Sequence, residues 1–137
     1  MRHNTTFAVG AVLAAIGVAL GAFGAHGLQD MVSADMLANW ETGVRYQMYA
    51  ALAMLALGLR REQRRAGWPL LIGAILFSGT LYLMALTGLT WLGAITPIGG
   101  VLIIVGLLLA AWDVRRATTT APDETSKAVG AAVGNRG

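Results

Sequence analysis

"TFAVGAVLAAIGVALGAFG", residues 6–24, carries no charge over about 19 residues, which as an α-helix measures about 28 Å, close to the hydrocarbon thickness of a bilayer. The stretch decides the fold class: a soluble helix of this length needs a polar face, and this one has none. Its rival reading is a cleavable signal peptide, since Arg2 gives a positive start and Ala22 and Gly24 are small enough for a cleavage site. The apolar run exceeds the usual signal core of about 7–15 residues, and three more apolar segments follow it, so retention as a membrane span is expected.

The rest of the chain agrees. Of 137 residues, 56% are hydrophobic and 12% are charged, about half the charge of an ordinary soluble domain. The mean hydropathy is +0.63. With no cysteine, disulfides, thiolate nucleophiles and sulfur metal sites are excluded. The net charge of +3 comes without an aromatic-interleaved basic patch, so no nucleic-acid partner is expected. The lipid bilayer is the expected partner, with a second copy or another membrane protein beside it.

Four spans are expected, at about 6–26, 40–59, 68–86 and 97–112, in an all-α antiparallel bundle. The second is the strained one. Its uninterrupted apolar part, Met48 to Leu59, has only about 12 residues, so the helix must draw in Glu41, Arg45, Tyr46 and Gln47. Pro69 and the pair Thr96-Pro97 suit first helical turns, Thr96 as a cap. Trp40, Trp68, Trp91 and Trp112 stand near span ends, as an interfacial aromatic belt requires.

Arg2, the arginines at 60, 61, 64 and 65, and Arg115-Arg116 fall on one side of such a bundle, whereas Asp30 and Asp35 fall on the other. The positive-inside rule then puts both termini in the cytoplasm, making a multi-pass membrane protein. Residues 1–116 form the membrane domain, and 117–137, without hydrophobic periodicity, read as a disordered cytoplasmic tail.

Because lipid is as apolar as the helices, close packing and hydrogen bonds must hold the spans together. Gly10, Ala14, Gly17, Gly21 and Gly24, spaced four, three, four and three, draw a small-residue seam down the first span. Gly99, Gly106 and Ala110 draw a thinner one on the fourth. Such seams serve contacts within one bundle or between two copies.

Polar candidates cluster by depth. His26 is a proton-relay or haem-ligand candidate, or else a boundary residue at a glycine-loosened helix end. Glu41 and Arg45, four apart in the favourable order, either anchor a short helix or form one wall of a polar cavity. Gln47, Ser78, Thr80 and Tyr82 would complete that cavity, or Ser78 bonds locally in a tightly packed Phe77-Ser78-Gly79. No nucleotide loop, zinc spacing or nucleophile triad appears, so a non-enzymatic protein without cofactor is expected.

Four stretches in one order, "GAFGAHGL" (21–28), "WETGVRYQ" (40–47), "FSGTLYLMAL" (77–86) and "TPIGG" (96–100), resemble the bacterial family known as domain of unknown function 423, related to a small mitochondrial transmembrane protein of animals. The resemblance spans about residues 5–116. It implies a small four-span inner-membrane protein and brings no substrate, cofactor or catalytic residue. Similar members often carry histidine where this chain has Ala50, which removes mechanisms built on a histidine pair. Helix-mediated association, as an accessory or assembly protein, is the leading expectation; transport of a small solute through a cavity of His26, Glu41, Arg45, Gln47 and Tyr82 is the alternative.

Overall fold

An apolar run can bury its own N–H and C=O groups only by pairing them internally, and the helix does so within one segment. The computed structural model describes residues 2–60 and 65–119, and every long element in them is helical. Helix α1 (His3–Phe23) continues directly into a π-helical turn, Gly24–Leu28. Helix α2 (Ala34–Gly58) follows a short turn, α3 is Gly67–Thr87, and a 3₁₀ turn, Thr90–Ala94, leads into α4 (Thr96–Thr119).

Three stretches are long and apolar enough to cross a membrane: Asn4–Leu28, Gly67–Thr87 and Thr90–Arg116. Helix α2, at 25 residues, is long but carries Asp35, Glu41 and Arg45 in its first half and is not among them. It also begins earlier than the expected residue 40, because Ser33 accepts a hydrogen bond from the Met36 N–H at 3.4 Å and caps it. Helix α4 runs on through 117–119; the expected tail from residue 120 lies outside the described residues.

Contacts between successive helices pair rising with falling residue numbers. Phe7 meets Gly58, Gly10 meets Ala51 and Leu55, Gly17 meets Met48 and Gly24 meets Trp40. Likewise Gly73 meets Ile103 and Gly106 meets Leu70. Each helix packs on the next in sequence, leaving α1 and α4 at the flanks. In those two, 17% of the most apolar stretch is buried, against 44% in α3, so the flanks keep wide apolar faces outward.

The core has two ends. Met54, Leu57, Ala66, Leu70 and Ile103 cluster near Arg60 and Arg65, whereas Leu28, Trp40 and Ala85 cluster beside the two connecting loops. We call these the basic end and the loop end.

Two local expectations change. The Thr96 hydroxyl lies 2.9 Å from the Thr80 hydroxyl and 3.4 Å from the Leu92 carbonyl, so it ties α4 to α3 in place of capping its own helix. Trp40 is 3% exposed and inside the protein, whereas Trp68, Trp91 and Trp112 are all more than half exposed, as a belt residue is.

Candidate functional site

The polar residues of α2 separate by helix face. At 100° per residue, Trp40, Gly43, Gln47, Ala51, Met54 and Gly58 trace one buried stripe, while Glu41, Arg45, Leu52 and Ala56 trace an exposed one. The buried stripe lies between α1 and α3, and each polar group on it bonds to a neighbouring helix.

Gln47 is the central tie. Its Nε2 donates to the Leu13 carbonyl of α1 at 2.8 Å, and its Oε1 accepts from the Tyr82 hydroxyl of α3 at 2.9 Å. Both polar ends of the amide are therefore engaged, one on each flanking helix. One turn toward the loop end, Ser78 Oγ donates to the Gly43 carbonyl at 2.7 Å, so its hydroxyl crosses between helices and is not bonded locally. Gly43 permits this approach: a Cβ there would stand 2.8 Å from Tyr82 Cε1.

At the loop end Trp40 Nε1 donates to the Leu20 carbonyl at 2.9 Å. Leu20 stands where the α-helical ladder loosens: the Gly24 N–H is shared between the Gly21 and Leu20 carbonyls before the chain widens into the π turn. The indole thus bonds a carbonyl that its own helix holds only in part. A Cβ on Gly24 would lie 2.6 Å from Trp40 Cδ1, and one on Gly27 would lie 2.9 Å from two carbons of the Phe23 ring. Phe23 meets Trp40 edge-on at 5.7 Å, and Trp40 meets Tyr82 at 4.6 Å. The glycines of "GAFGAHGL" make room for this aromatic stack.

The exposed stripe is different. Glu41 and Arg45 make no ion pair with each other within 4.0 Å. With Gly21, Ala25, Trp40 and Val44 they line an open groove of about 280 Å³ between α1 and α2. His26, exposed on the π turn, is not in its lining. The five residues grouped by depth therefore form three sets: Gln47 with Tyr82 inside, Glu41 with Arg45 at the groove, and His26 apart.

The small residues differ in tightness. At Gly10 a Cβ would stand 2.9 Å from Leu55 N and 3.0 Å from the Ala51 carbonyl, and at Gly17 2.7 Å from Met48 Sδ, whereas Gly21 has 3.4 Å of room to Val44 Cγ1. Ala14 is half-buried on the same helix. Between α3 and α4, a Cβ on Gly99 would fall on the Phe77 backbone nitrogen, and one on Gly106 would lie 2.7 Å from Leu70 Cγ. Gly58 on α2 and Gly73 on α3 are just as tight: a Cβ would lie 2.6 Å from Phe7 Cα and 2.8 Å from Ile103 N, respectively. Neither has a small residue three or four positions away, the spacing that marks the α1 seam, so the sequence does not single them out.

A family model described as a protein of unknown function, DUF423, matches residues 20–100, which takes in the π turn, the Gln47 tie and the Gly73–Gly99 contact. A UPF0382 membrane protein of Staphylococcus saprophyticus is 48% identical over 106 residues, covering 74% of this chain and 88% of its own. The UPF0382 membrane protein YwdK of Bacillus subtilis is 41% identical over 108 residues, with coverage of 74% and 88%. No solved structure matches. The matched region holds every interhelical hydrogen bond of α2 except its Leu13 acceptor, and the chain belongs to the DUF423 family of bacterial membrane proteins.

Proposed function

We propose that this protein is a non-enzymatic, four-span inner-membrane protein that acts through helix association, as an accessory or assembly subunit or as a self-associating unit. One observation carries the reading: buried Trp40, Gln47 and Ser78 and half-buried Tyr82, the polar groups on and against the inner face of α2, all bond to neighbouring helices and so serve cohesion. The wide apolar faces of α1 and α4 are then the surfaces available to lipid or to a second membrane protein. Helix α2 crosses as the fourth span because its buried stripe is satisfied inside the protein, which lowers the cost of its polar residues.

Orientation follows from charge. Arg2, Arg60, Arg65, Arg115 and Arg116 share the basic end, and the positive-inside rule makes that end cytoplasmic.

Extraction of the full chain from its native membrane into polymer-bounded lipid discs, followed by mass measurement, tests the function. A second copy or a reproducible stoichiometric membrane partner is expected; a monomer alone under several extraction conditions overturns the reading. Transport keeps one supporting feature, the Glu41–Arg45 groove. Solute flux into vesicles that falls on Glu41→Gln would favour it.

A further inference from the structure

A second groove, of about 360 Å³, lies at the basic end between Arg65 and the last turns of α4. Its wall is made by Val105, Leu108 and Leu109, its rim by Trp112, and its charged mouth by Arg65, Asp113 and Arg116. The order matters: along α4 the lining changes from aliphatic to indole to ionic within about 17 Å, the sequence of environments a lipid molecule meets from acyl chain to headgroup. Leu108 and Trp112 are 64% and 58% exposed, so the groove opens to the surroundings of the helix and not to the core. Arg116 lies over the Trp112 ring at 5.3 Å, which holds the guanidinium at the level of the indole.

From this lining we infer a binding site for one anionic phospholipid of the phosphatidylglycerol class. Among the described lining residues two guanidinium groups stand against one carboxylate, so the mouth offers positive charge to a phosphodiester. The Asp113 carboxylate at the mouth can accept hydrogen bonds from the glycerol hydroxyls of such a headgroup. A free phosphate ion would gain nothing from the aliphatic wall, whereas an acyl chain covers it. The site is independent of the assembly role and requires only that α4 cross the bilayer.

Fluorescence quenching by lipids brominated near the head of the acyl chain tests the site on the full chain in phosphatidylcholine vesicles. The Trp112 component is the difference between the wild-type protein and Trp112→Phe. Brominated phosphatidylglycerol is expected to quench it at about fivefold lower mole fraction than brominated phosphatidylcholine or phosphatidylethanolamine. The joint change Arg65→Gln with Arg116→Gln should abolish that preference, and Arg65→Lys with Arg116→Lys should keep most of it. Arg2→Gln with Arg60→Gln, an equal charge loss outside the groove, should leave it intact.

Equal quenching by the three lipids overturns the inference. So does a preference lost equally in Arg2→Gln with Arg60→Gln, which would mean diffuse surface charge, or one abolished by millimolar inorganic phosphate at constant ionic strength. Near-UV circular dichroism matching the wild type shows that the double variants are folded.

Discussion

The α2 interfaces and the α3–α4 interface share close glycine contacts and differ in the side-chain hydrogen bonds laid over them. Helix α2 is tied to its neighbours by side chains that reach a backbone carbonyl or one another: Trp40 to Leu20, Gln47 to Leu13 and Tyr82, and Ser78 to Gly43. Helices α3 and α4 meet through Gly73, Gly99 and Gly106, close enough for backbone to touch backbone, with the Thr80–Thr96 hydroxyl pair as a polar tie. The difference follows composition. A strongly apolar helix has only shape to offer its neighbour, whereas one that carries polar residues must satisfy them, and satisfying them on a neighbour turns a liability into a tie.

The sharpest way to break the glycine interface is Gly99→Ile. The added Cβ would fall on Phe77 N and stand 2.9 Å from the Gly73 carbonyl, so two backbones must part. The expected loss is about 3 kcal/mol, measured by unfolding in mixed micelles of rising dodecyl sulfate fraction. Gly100→Ala is the control: its Cβ would meet the Phe77 ring at 3.5 Å, ordinary contact, and the loss should stay below about 0.5 kcal/mol.

The polar interface should yield less. Gln47→Leu removes both arms of the central tie and leaves the Tyr82 hydroxyl without its partner, at an expected cost of about 1–2 kcal/mol. In the same micelle titration, Tyr82→Phe alone should cost about 0.6 kcal/mol, and nothing further once Gln47 is leucine. Additive losses would mean that the two residues act separately.

Trp40→Phe keeps most of the ring stack but removes the indole N–H from Leu20, with an expected loss of about 0.6 kcal/mol. Its more telling readout is local. Amide exchange at Gly24 and through Gly24–Leu28 should accelerate more than exchange in α4, because the indole bonds at the point where the helical ladder loosens. Uniform acceleration would remove the special role of that carbonyl.

The apolar runs of α1, α3 and α4 and the seam on α1 were legible because they rest on length and spacing, which a sequence displays directly. Gln47 was legible only as a burden. Grouping it with Glu41 and Arg45 used depth, yet residue 47 stands about 240° around the helix from residue 41, so the two groups face different surroundings. That angle was available in the sequence; which face met α1 was not, since it depends on the packing of Gly10, Gly17 and Gly24. Trp40 misled for a related reason, its position near the expected span end matching a belt tryptophan while its indole serves the core. The π turn carried no sequence signal: the room that Gly24 leaves for Trp40 and Gly27 for Phe23 is visible only once the rings are placed.

The exposed stripe of α2 gives the smallest expected effect and the clearest contrast with the buried one. Glu41 and Arg45 share the helix with Gln47 but line a groove open to the outside and form no ion pair with each other. Their charges therefore add little to cohesion, and Glu41→Gln, Arg45→Gln and the pair together should each change stability by less than about 0.5 kcal/mol. A loss as large as that of Gln47→Leu would mean that the groove closes in the membrane and makes the two charges part of the helix interface. A stable double variant that loses a measurable membrane function would instead assign that function to the groove, because cohesion would already have been accounted for by the buried stripe one face away.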